Sequence, residues 1–304
     1  MQTNRTCSLA MGPMRYPASM LHRSALMTTS LPGVSVTTTD SERSFPRHWH
    51  GTYGIGLVDF GAQRSLSGRG TVEAFAGQVI THNPCEVHDG HPIGGARRWR
   101  MFHIEQTAIV RLLGMRAAAG LEWHAPVFTN PAIRAAVSRA FGALESARTE
   151  GVILDGTTEA FVEEALLIAV GRAFQPRTQT YPHSRAPGRF PGTLGRVMER
   201  LTDGYANALS LDELAALAGT SRYSLVRQFG RCYGLPPMAW LQQLRLERAR
   251  SGIANGLKLA EVALACGFSD QSHLTRLFTR QFGHTPGAWR KASFGTGQSR
   301  ARTF

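Results

Sequence analysis

The chain has 304 residues, of which 42% are hydrophobic, and it carries a formal net charge of +13 at pH 7. This length and composition are typical of a globular protein of about two domains, each able to bury a core. They argue against an integral membrane protein, because no apolar run approaches the roughly 20 residues that span a bilayer. The first 30 residues also lack the apolar centre of a signal peptide, so we expect a cytoplasmic protein.

Four cysteines stand far apart in the sequence, at Cys7, Cys85, Cys232 and Cys266. They form no CxxC pair of the kind that holds structural zinc, and a chain of this length does not need disulfide bonds to fold. We predict that all four are reduced thiols.

The excess positive charge is concentrated in the C-terminal part of the chain. Residues 1–171 contain 15 Lys and Arg against 14 Asp and Glu, residues 172–192 contain 4 against none, and residues 193–304 contain 15 against 7. A general bias toward arginine would not separate the charge in this way. The C-terminal region is therefore predicted to bind a polyanion such as DNA.

In chain order, residues 1–30 show no hydrophobic period and are predicted to be a disordered extension. Residues 31–105 alternate short β-rich runs with Gly and Pro, which favours a small barrel or a sandwich. From 107 to 174 the period changes to that of helices, which could cover the barrel or form a dimer surface. We predict one mostly β domain with flanking α-helices over residues 31–174.

A linker separates this domain from the C-terminal region. Residues 175–192 contain four prolines and no acidic residue, which disfavours helices and packed strands. Residues 193–292 have helical periodicity and are predicted to form an all-α DNA-binding domain. Residues 293–304 are predicted to be a flexible basic tail.

The C-terminal region repeats itself. The phrases RQFGRCYGLPPMAW at 227–240 and RLFTRQFGHTPGAW at 276–289 share residues at one offset of 49. A constant offset indicates one supersecondary unit that is built twice. The seven matched pairs are Arg227/Arg276, Phe229/Phe278, Arg231/Arg280, Tyr233/Phe282, Gly234/Gly283, Pro237/Pro286 and Trp240/Trp289.

Each copy contains a pattern typical of a helix-turn-helix unit. In LDELAALAGTSRYSL at 211–225 and LAEVALACGFSDQSHL at 259–274, a short helix, a Gly-containing turn and a second helix follow one another. Gly219 and Gly267 supply the backbone freedom that a tight turn requires. The second helix of such a unit can enter the major groove of DNA.

Polar residues before the helices are predicted to cap them. Ser210 with Glu213 fits a capping box, and Ser221 and Ser269 can cap the second helices. Residues 237–254 are predicted to form one helix about 26 Å long, on the scale of the roughly 34 Å helical repeat of DNA. One chain could therefore place two recognition helices in consecutive major grooves.

Apolar residues are expected to hold the two units together. Trp240 and Trp289 each follow a proline at the start of a helix and are predicted to be core anchors rather than base-stacking residues. Each second helix has an apolar stripe at i, i+4 spacing that we expect to be buried. The stripes are formed by Leu225, Phe229, Leu274 and Phe278.

The opposite faces of the second helices bear side chains that can reach base edges. Arg231 and Arg280 lie one turn further on and are better placed for phosphates. A polar helix face is most often only solvated, so the prediction depends on the whole duplicated set in a basic region. The candidate DNA-binding residues are Arg222, Tyr223, Ser224, Val226, Arg227, Arg231, Gln271, Ser272, His273, Arg276 and Arg280.

The segment LAEVALACGFSDQSHLTRLFTRQFGHTPGAWR at 259–290 resembles the C-terminal signature of the AraC/XylS family of bacterial transcription regulators. The resemblance covers about 100 residues and implies seven helices in two helix-turn-helix units joined by a long helix. It places base-reading roles near Tyr223, Val226, Arg227 and, in the second copy, near Gln271, Ser272 and Arg276. Val226 departs from the polar residue often found at this position. Because valine cannot donate a hydrogen bond to a base, the contact that remains open to it is an apolar one with a thymine methyl group.

In the N-terminal half, RHWHGTYGIGLVDFGAQ and FAGQVITHNPCEVHDG resemble the cupin-type ligand-binding domain found in many members of the same family. His48, His50 and His88 occupy positions similar to cupin metal ligands, and both imidazoles of a strand HxH face one side. Three interpretations stay open: the histidines line a small-molecule pocket, act as structural hydrogen-bonding groups, or bind a metal ion. Trp99 is also predicted to line the effector pocket, which Trp49, His82 and His103 could share.

Two departures argue against metal catalysis. Tyr53 and Gly54 stand where an enzymatic cupin supplies a glutamate after the histidine pair, and Cys85 takes a turn position that is often glycine. We therefore assign no catalytic residue, no metal ligand and no cofactor.

The sequence thus predicts a sequence-specific DNA-binding transcription regulator, and the resemblance favours an effector-responsive activator. Its expected partners are double-stranded DNA, a small-molecule effector, RNA polymerase and a second copy in a homodimer, with no membrane. The alternatives are a metal-dependent cupin enzyme fused to a DNA-binding module, and a nucleoid protein without sequence preference.

Overall fold

A computed structural model describes residues 22–29, 31–68, 70–115, 120–149, 156–176 and 192–294. Among the helices in these ranges, none is both long enough and apolar enough to cross a membrane.

The N-terminal domain is built on one antiparallel sheet. The described strands are β1 (His22–Thr28), β2 (Val34–Ser41), β3 (Phe45–His48), β4 (Tyr53–Ser67), β5 (Gly70–Phe75), β6 (Val79–His82), β7 (His88–Ile104), β8 (Leu121–Trp123), β9 (Val127–Phe128) and β10 (Phe174–Pro176). They pair in the order β1-β2-β7-β4-β6-β9, with β3 added on β7 and β5 on β4, and a separate pair is formed by β8 and β10. The two long strands β4 and β7 pair over most of their length and form the centre of the sheet.

Three helices cover one face of the sheet: α1 (Gln106–Leu113), α2 (Pro131–Thr149) and α3 (Gly156–Ala173). Their apolar sides form one core with the strands, in which Phe102 of β7 stacks on Phe141 of α2 at a ring distance of 4.3 Å. The helical stripe over residues 107–174 therefore covers the sheet.

The prediction that residues 1–30 form a disordered extension is wrong for residues 22–28. They form β1, which pairs in register with β2 from His22↔Ser41 to Thr28↔Ser35. The hydrogen bonds come from β2, so a short run without a hydrophobic period of its own still becomes a strand. Residues 1–21 lie outside the described residues, as does Cys7.

Two other predicted boundaries differ slightly. The first two residues of the segment 175–192 belong to β10, which pairs with β8 in the register Phe174↔Trp123. Most of the predicted linker, residues 177–191, lies outside the described residues. At the other end the last helix continues to Phe294, two residues into the predicted tail, and residues 295–304 are outside the described part.

The described C-terminal region, residues 192–294, contains seven helices. They form two small cores, one around Phe229 and one around Phe278, and the long helix contributes Leu241 to the first and Ile253 to the second. The helices are α4 (Thr193–Asp203), α5 (Leu211–Leu217), α6 (Arg222–Tyr233), α7 (Pro237–Ala254), α8 (Leu259–Ala265), α9 (Gln271–Phe282) and α10 (Pro286–Phe294). The helix predicted over 237–254 is confirmed as α7.

The predicted caps and turns are confirmed with one exception. Ser210 and Glu213 form the capping box of α5, and the Ser221 hydroxyl accepts a hydrogen bond from the backbone N–H of Ser224. Gly219 and Gly267 have φ values of 60° and 76°, in the left-handed region that favours glycine.

The exception is α9. Its cap is Asp270, whose carboxylate accepts a 2.7 Å hydrogen bond from the backbone N–H of His273. The predicted cap, Ser269, instead donates its hydroxyl proton to Asp270. A carboxylate is the stronger acceptor at the positive end of a helix, which explains the choice.

Candidate effector pocket and DNA-reading helices

The outer face of α6 presents most of the residues predicted to read DNA. Arg222, Tyr223, Arg227 and Arg231 are exposed, and Tyr223 is 75% exposed. Arg222 lies 3.4 Å from the carboxylate of Asp212 on α5, in an ion pair open to solvent. Such a pair stabilises little in water, so the guanidinium can exchange this partner for a phosphate or a base.

The remaining two predicted residues of α6 are less accessible. Ser224 and Val226 are both partly buried. Ser224 gives its backbone N–H to the helix cap, and Val226 lies beside the buried stripe. Their contact with bases stays a prediction.

The corresponding face of α9 differs in chemistry. Gln271, Ser272, Arg276 and Arg280 are exposed, whereas His273 is partly buried and its ring Nδ1 lies 3.1 Å from the hydroxyl of Ser269. Gln271, Ser272 and Arg276 remain candidates for base edges, while His273 is partly used in the turn.

The apolar stripes of both helices are fully buried, as predicted. Leu225, Phe229, Leu274 and Phe278 are each 0% exposed. This burial fixes which face of each helix points outward. The anchor role of the tryptophans is also confirmed: Trp240 is 4% exposed, and the indole N–H of Trp289 donates to the backbone carbonyl of Arg250 at 2.9 Å.

A cavity of about 160 Å³ lies against the face of the N-terminal sheet that the helices leave open. Alternate residues of β7, Arg97, Trp99, Met101 and His103, point into it, as the period of two in a strand requires. Arg98 points the other way and pairs with Asp40 at 2.6 Å.

All four residues predicted to bind the effector line this cavity. His48 comes from β3, His50 from the turn after it, and His88 and Trp99 from the start and the second half of β7, and the sheet brings them together. Their role in binding an effector stays a prediction.

Seven histidines line the cavity, and five of them lie close together: His48, His50, His82, His88 and His103. The His48 ring lies 4.5 Å from that of His88 and 4.9 Å from that of His50, and the rings of His82 and His88 are stacked at 5.1 Å. One nitrogen each from His48, His50 and His88 lies within 4.8 Å of the others. The fifth ring, His103, lies 5.7 Å from His50.

These imidazoles are neutral. Burial lowers the pKa of both His48 and His103 to about 3, and burial together with the neighbouring imidazoles lowers the pKa values of His50 and His82 well below the usual range. Burial also lowers the pKa of His88. A cluster of cations so close together would repel, so the neutral form is the one that fits the fold.

His82 depends on a glycine of the neighbouring strand. It is 5% exposed, and neither of its ring nitrogens has a hydrogen-bond partner among the described residues. A Cβ atom on Gly54 would lie 2.0 Å from His82 Nε2. The absence of a side chain at Gly54 is therefore what leaves room for this imidazole.

Cys85 adopts the left-handed backbone conformation expected for its turn, with φ of 61°, and its N–H donates to the carbonyl of His50. Burial and the carboxylate of Glu247 raise the pKa of its thiol to about 12, so the sulfur stays protonated. A neutral thiol is a poor metal ligand. Cys85, Cys232 and Cys266 are all free, as predicted.

Arg97 was not predicted to be part of the site. It is 1% exposed and has hydrogen bonds to Gln63 and to the backbone carbonyls of Ser41, Arg43 and Gly90. Its guanidinium also lies 4.9 Å from the ring centre of Trp99. The alternation of charged and aromatic residues in ARRWR was the signal that could have placed Arg97 beside Trp99 on the inner face.

The C-terminal domain closes the cavity. Arg250 of α7, Phe282 at the end of α9, His284 and Trp289 all line it together with residues of the N-terminal sheet. The Arg250 guanidinium lies over the rings of Phe282 and Trp289, at 5.8 and 5.3 Å. Sequence periodicity carries no signal for such contacts, because the partners lie in separate domains.

Trp49 contributes to the contact between the domains rather than to the cavity lining. It is 3% exposed and belongs to the core of the first helix-turn-helix unit, with Trp240 and Leu235. Next to it, His50 Nδ1 lies 3.9 Å from the carboxylate of Glu247, which forms a 2.9 Å ion pair with Arg250.

Comparison with known proteins identifies both domains. Residues 32–161 match the model of the AraC-like ligand binding domain, and residues 214–292 match that of a helix-turn-helix domain. The Bacillus subtilis (strain 168) "Uncharacterized HTH-type transcriptional regulator YbfI" is 25% identical over 76% of this chain and 82% of its own length. The "Transcriptional activator NphR" of a Rhodococcus species is 40% identical, but over only 27% of this chain and 25% of its own length.

Among solved structures, an apo ToxT variant from Vibrio cholerae strain SCE256 is similar over 87% of this chain and 98% of its own, with a TM-score of 0.48 and 10% identity. The two family models and the relative that spans most of the chain agree with the fold and with the duplicated helix-turn-helix unit. The chain therefore belongs to the AraC/XylS family of transcription regulators, with an AraC-like ligand binding domain followed by a helix-turn-helix DNA-binding domain.

Proposed function

We propose that this regulator is an activator whose small-molecule effector binds in the cavity between the N-terminal sheet and the DNA-binding domain. The observation that carries the proposal is the composition of the cavity wall. Residues of both domains line it, including Trp99 of β7 and Phe282 of the recognition helix α9. A molecule in the cavity would touch both domains at once.

This arrangement gives the effector a direct way to act. A ligand shifts a conformational equilibrium only by the difference between its affinities for the two states. In the arrangement seen in this structure, a ligand in the cavity would contact Arg250 and Phe282 of the DNA-binding domain. Any arrangement that separates the two domains would remove those contacts. The effector therefore changes the balance between arrangements of the DNA-binding domain.

The position of Arg280 connects the arrangement of the two domains to DNA binding. It lines a second crevice, about 340 Å³ in volume, together with Arg47 and His48 of the N-terminal domain. A residue proposed to bind phosphate thus lies at the boundary between the domains. Moving the N-terminal domain changes the access of DNA to this end of α9.

Activation, rather than repression, is proposed because relatives of the DNA-binding domain are named as activators, among them NphR and RhaS.

The proposal includes contact with RNA polymerase and a homodimer. Phe161 and Leu167 of α3 are 62% and 42% exposed, and these two apolar side chains are our candidates for dimer contacts. The cavity is assigned a binding role without turnover, so bound effector should be recovered chemically unchanged.

The test is selection of genomic DNA fragments by the full-length protein, followed by a reporter assay on the selected promoter. We expect enrichment of a few sites, loss of enrichment in an Arg227→Ala/Gln271→Ala double variant, and higher reporter output with the intact regulator. Equal recovery of all fragments by the folded wild type would contradict sequence-specific regulation, and would favour a nucleoid protein.

A further inference from the structure

The guanidinium of Arg97 is a buried positive charge in the wall of the cavity between the domains. Arg97 is 1% exposed and points into the cavity from β7. Burial lowers the pKa of Arg97 to about 10, which still leaves the group charged at neutral pH. An arginine is almost never buried to this degree unless it is paired with an anion. The anionic partner of Arg97 therefore bears directly on what the cavity binds.

The protein itself supplies only neutral partners for Arg97. It donates hydrogen bonds of 3.1 to 3.4 Å to the side-chain amide of Gln63 and to the backbone carbonyls of Ser41, Arg43 and Gly90. All four are longer than the roughly 2.7–2.9 Å of a hydrogen bond between a guanidinium and a carboxylate. They occupy at most four of the five N–H groups of the guanidinium, so at least one N–H has no acceptor within the described structure.

The neighbouring arginines of the same strand have carboxylate partners. Arg98 and Arg100 point to the opposite face of the sheet, where they lie 2.6 Å from Asp40 and 2.7 Å from Asp59. Among the described residues, no carboxylate forms an ion pair with Arg97. Strand β7 thus neutralises its outward charges and leaves the inward one without an anion.

The other charged groups around the cavity are already matched. Arg250 forms a 2.9 Å ion pair with Glu247. Glu86 and Asp89 also line the cavity, but their carboxylates accept hydrogen bonds from nearby N–H groups and form none with Arg97. Within the described lining, Arg97 is therefore the cation that has an unused donor and no counter-ion.

We propose that the effector is a small carboxylic acid that binds as its anion, with the carboxylate on the guanidinium of Arg97. One carboxylate supplies the single negative charge that Arg97 lacks, and its two oxygens fit the planar fork of a guanidinium. The guanidinium lies 4.9 Å from the ring centre of Trp99, a contact that favours a fixed orientation of the fork. This assignment rests on the proposed function, because it gives the effector of that function a chemical class.

The rest of the cavity sets the size and the character of the acid. Its volume of about 160 Å³ is below the roughly 300–1,000 Å³ of pockets for drug-sized ligands. Leu26, Trp99 and Met101 contribute apolar surface from the sheet, and Phe282 contributes it from the DNA-binding domain. A compact monocarboxylate with an apolar body matches this lining, whereas a dianion would keep one charge buried without a partner.

The experiment uses the full-length protein and two pairs of probes of matched shape: phenylacetate with phenylacetamide, and hexanoate with hexanamide. Calorimetric titration measures the Kd of each probe. We expect at least one acid to bind the wild type, and its amide to bind at least about 10-fold more weakly, because hydrogen bonds to a charged group are the stronger ones.

Variants of Arg97 test the position of the carboxylate. Arg97→Gln should weaken binding of the acid more than about 10-fold. Arg97→Lys keeps the charge without the planar fork and should restore part of the affinity. Arg98→Gln is the matched control, because Arg98 lies on the opposite face and pairs with Asp40. It should leave the Kd unchanged.

Three results would overturn the proposal: a folded wild type that binds neither acid, amides that bind as tightly as their acids, or a folded Arg97→Gln variant with the Kd of the wild type. Should that variant not fold, a crystal structure of the wild type with the bound acid decides instead. We expect the carboxylate within hydrogen-bond distance of Arg97, and a carboxylate placed elsewhere contradicts the site.

The promoter selected by the regulator separates this proposal from the proposed function. Specific DNA binding with a reporter that responds to a neutral molecule, in the wild type and in Arg97→Gln alike, overturns the acid alone. Binding of an acid on Arg97 by a protein that recovers all DNA fragments equally overturns the sequence-specific regulator alone.

Discussion

Trp49 of the N-terminal domain packs against Trp240 of the long helix in the DNA-binding domain, with ring centres 5.8 Å apart and planes inclined at 32°. Both rings are almost completely buried, at 3% and 4% exposure. Trp49 therefore completes the core of the first helix-turn-helix unit from outside that domain. The effector domain and one DNA-reading unit share apolar surface next to the histidine cluster.

Replacing Trp49 with alanine should uncouple the two domains. Loss of a buried tryptophan costs about 3–5 kcal/mol, and here the cost falls on the contact between domains. In calorimetry we expect one thermal transition for the wild type and two for the variant. Phe75→Ala is the control, because Phe75 is 49% exposed. A Trp49→Ala trace that superimposes on the wild type would show that the contact contributes no coupling.

Arg227 and Arg280 should respond differently to truncation. We expect Arg227→Ala to cost about 1–3 kcal/mol and to relax specificity at one base pair, because it removes a base contact. Arg280→Ala should weaken binding to all sequences and reduce the salt slope by about one, because it removes a phosphate contact. Titrations of a selected site and its single-position variants at several salt concentrations measure both. A uniform loss in the two variants would show that the assignment is wrong.

Gly54→Ala should displace His82. The added Cβ would lie 2.0 Å from its Nε2, and such overpacking typically costs about 1–3 kcal/mol. We expect a lower midpoint of urea unfolding. Gly142→Ala is the matched control: Gly142 is exposed on α2 with nothing within 4 Å of the added methyl group, and alanine in a helix should stabilise by about 0.5–1 kcal/mol. Equal stability of the two variants would argue against a crowded site at Gly54.

His284 should make the folded protein sensitive to acid. Burial, followed by the nearby charge of Arg250, lowers its pKa to about 4. Since the ordinary pKa of histidine is about 6.5, its contribution is complete above that value. As the pH falls from about 6.5 toward 4, the unfolded chain takes up a proton that the folded chain does not, and stability decreases by at most about 1.4 kcal/mol per pH unit.

The variant His284→Phe keeps an aromatic ring among Phe278, Phe282 and Trp289 but removes the titration. The difference in the free energy of unfolding between pH 7.5 and pH 5.0 should shrink by about 2 kcal/mol in the variant, measured by urea denaturation. His103 also faces Arg250 and has a lowered pKa, so some acid sensitivity should remain. An unchanged difference would mean that His284 does not carry the effect.

The sequence by itself determined what depends on local periodicity. The offset of 49 residues and the i, i+4 stripes gave the two helix-turn-helix units, and Pro237 and Ala254 were correctly predicted as the ends of α7. The HxH spacing grouped His48 with His50, although the expectation that both lie in one strand is wrong, because β3 ends at His48 and His50 lies in the turn that follows. These patterns are readable because burial of one face repeats every two residues in a strand and every 3.6 in a helix.

Only the tertiary structure decided what depends on distant partners. It placed β1 beside β2, moved Trp49 from the expected pocket into the core of the other domain, and brought Glu247 to His50. The hydrogen bond from Arg47 to the carbonyl of Gly234 joins residues 187 positions apart. Such contacts form because two surfaces complement each other in space, and a residue's neighbours in sequence hold no record of that complementarity.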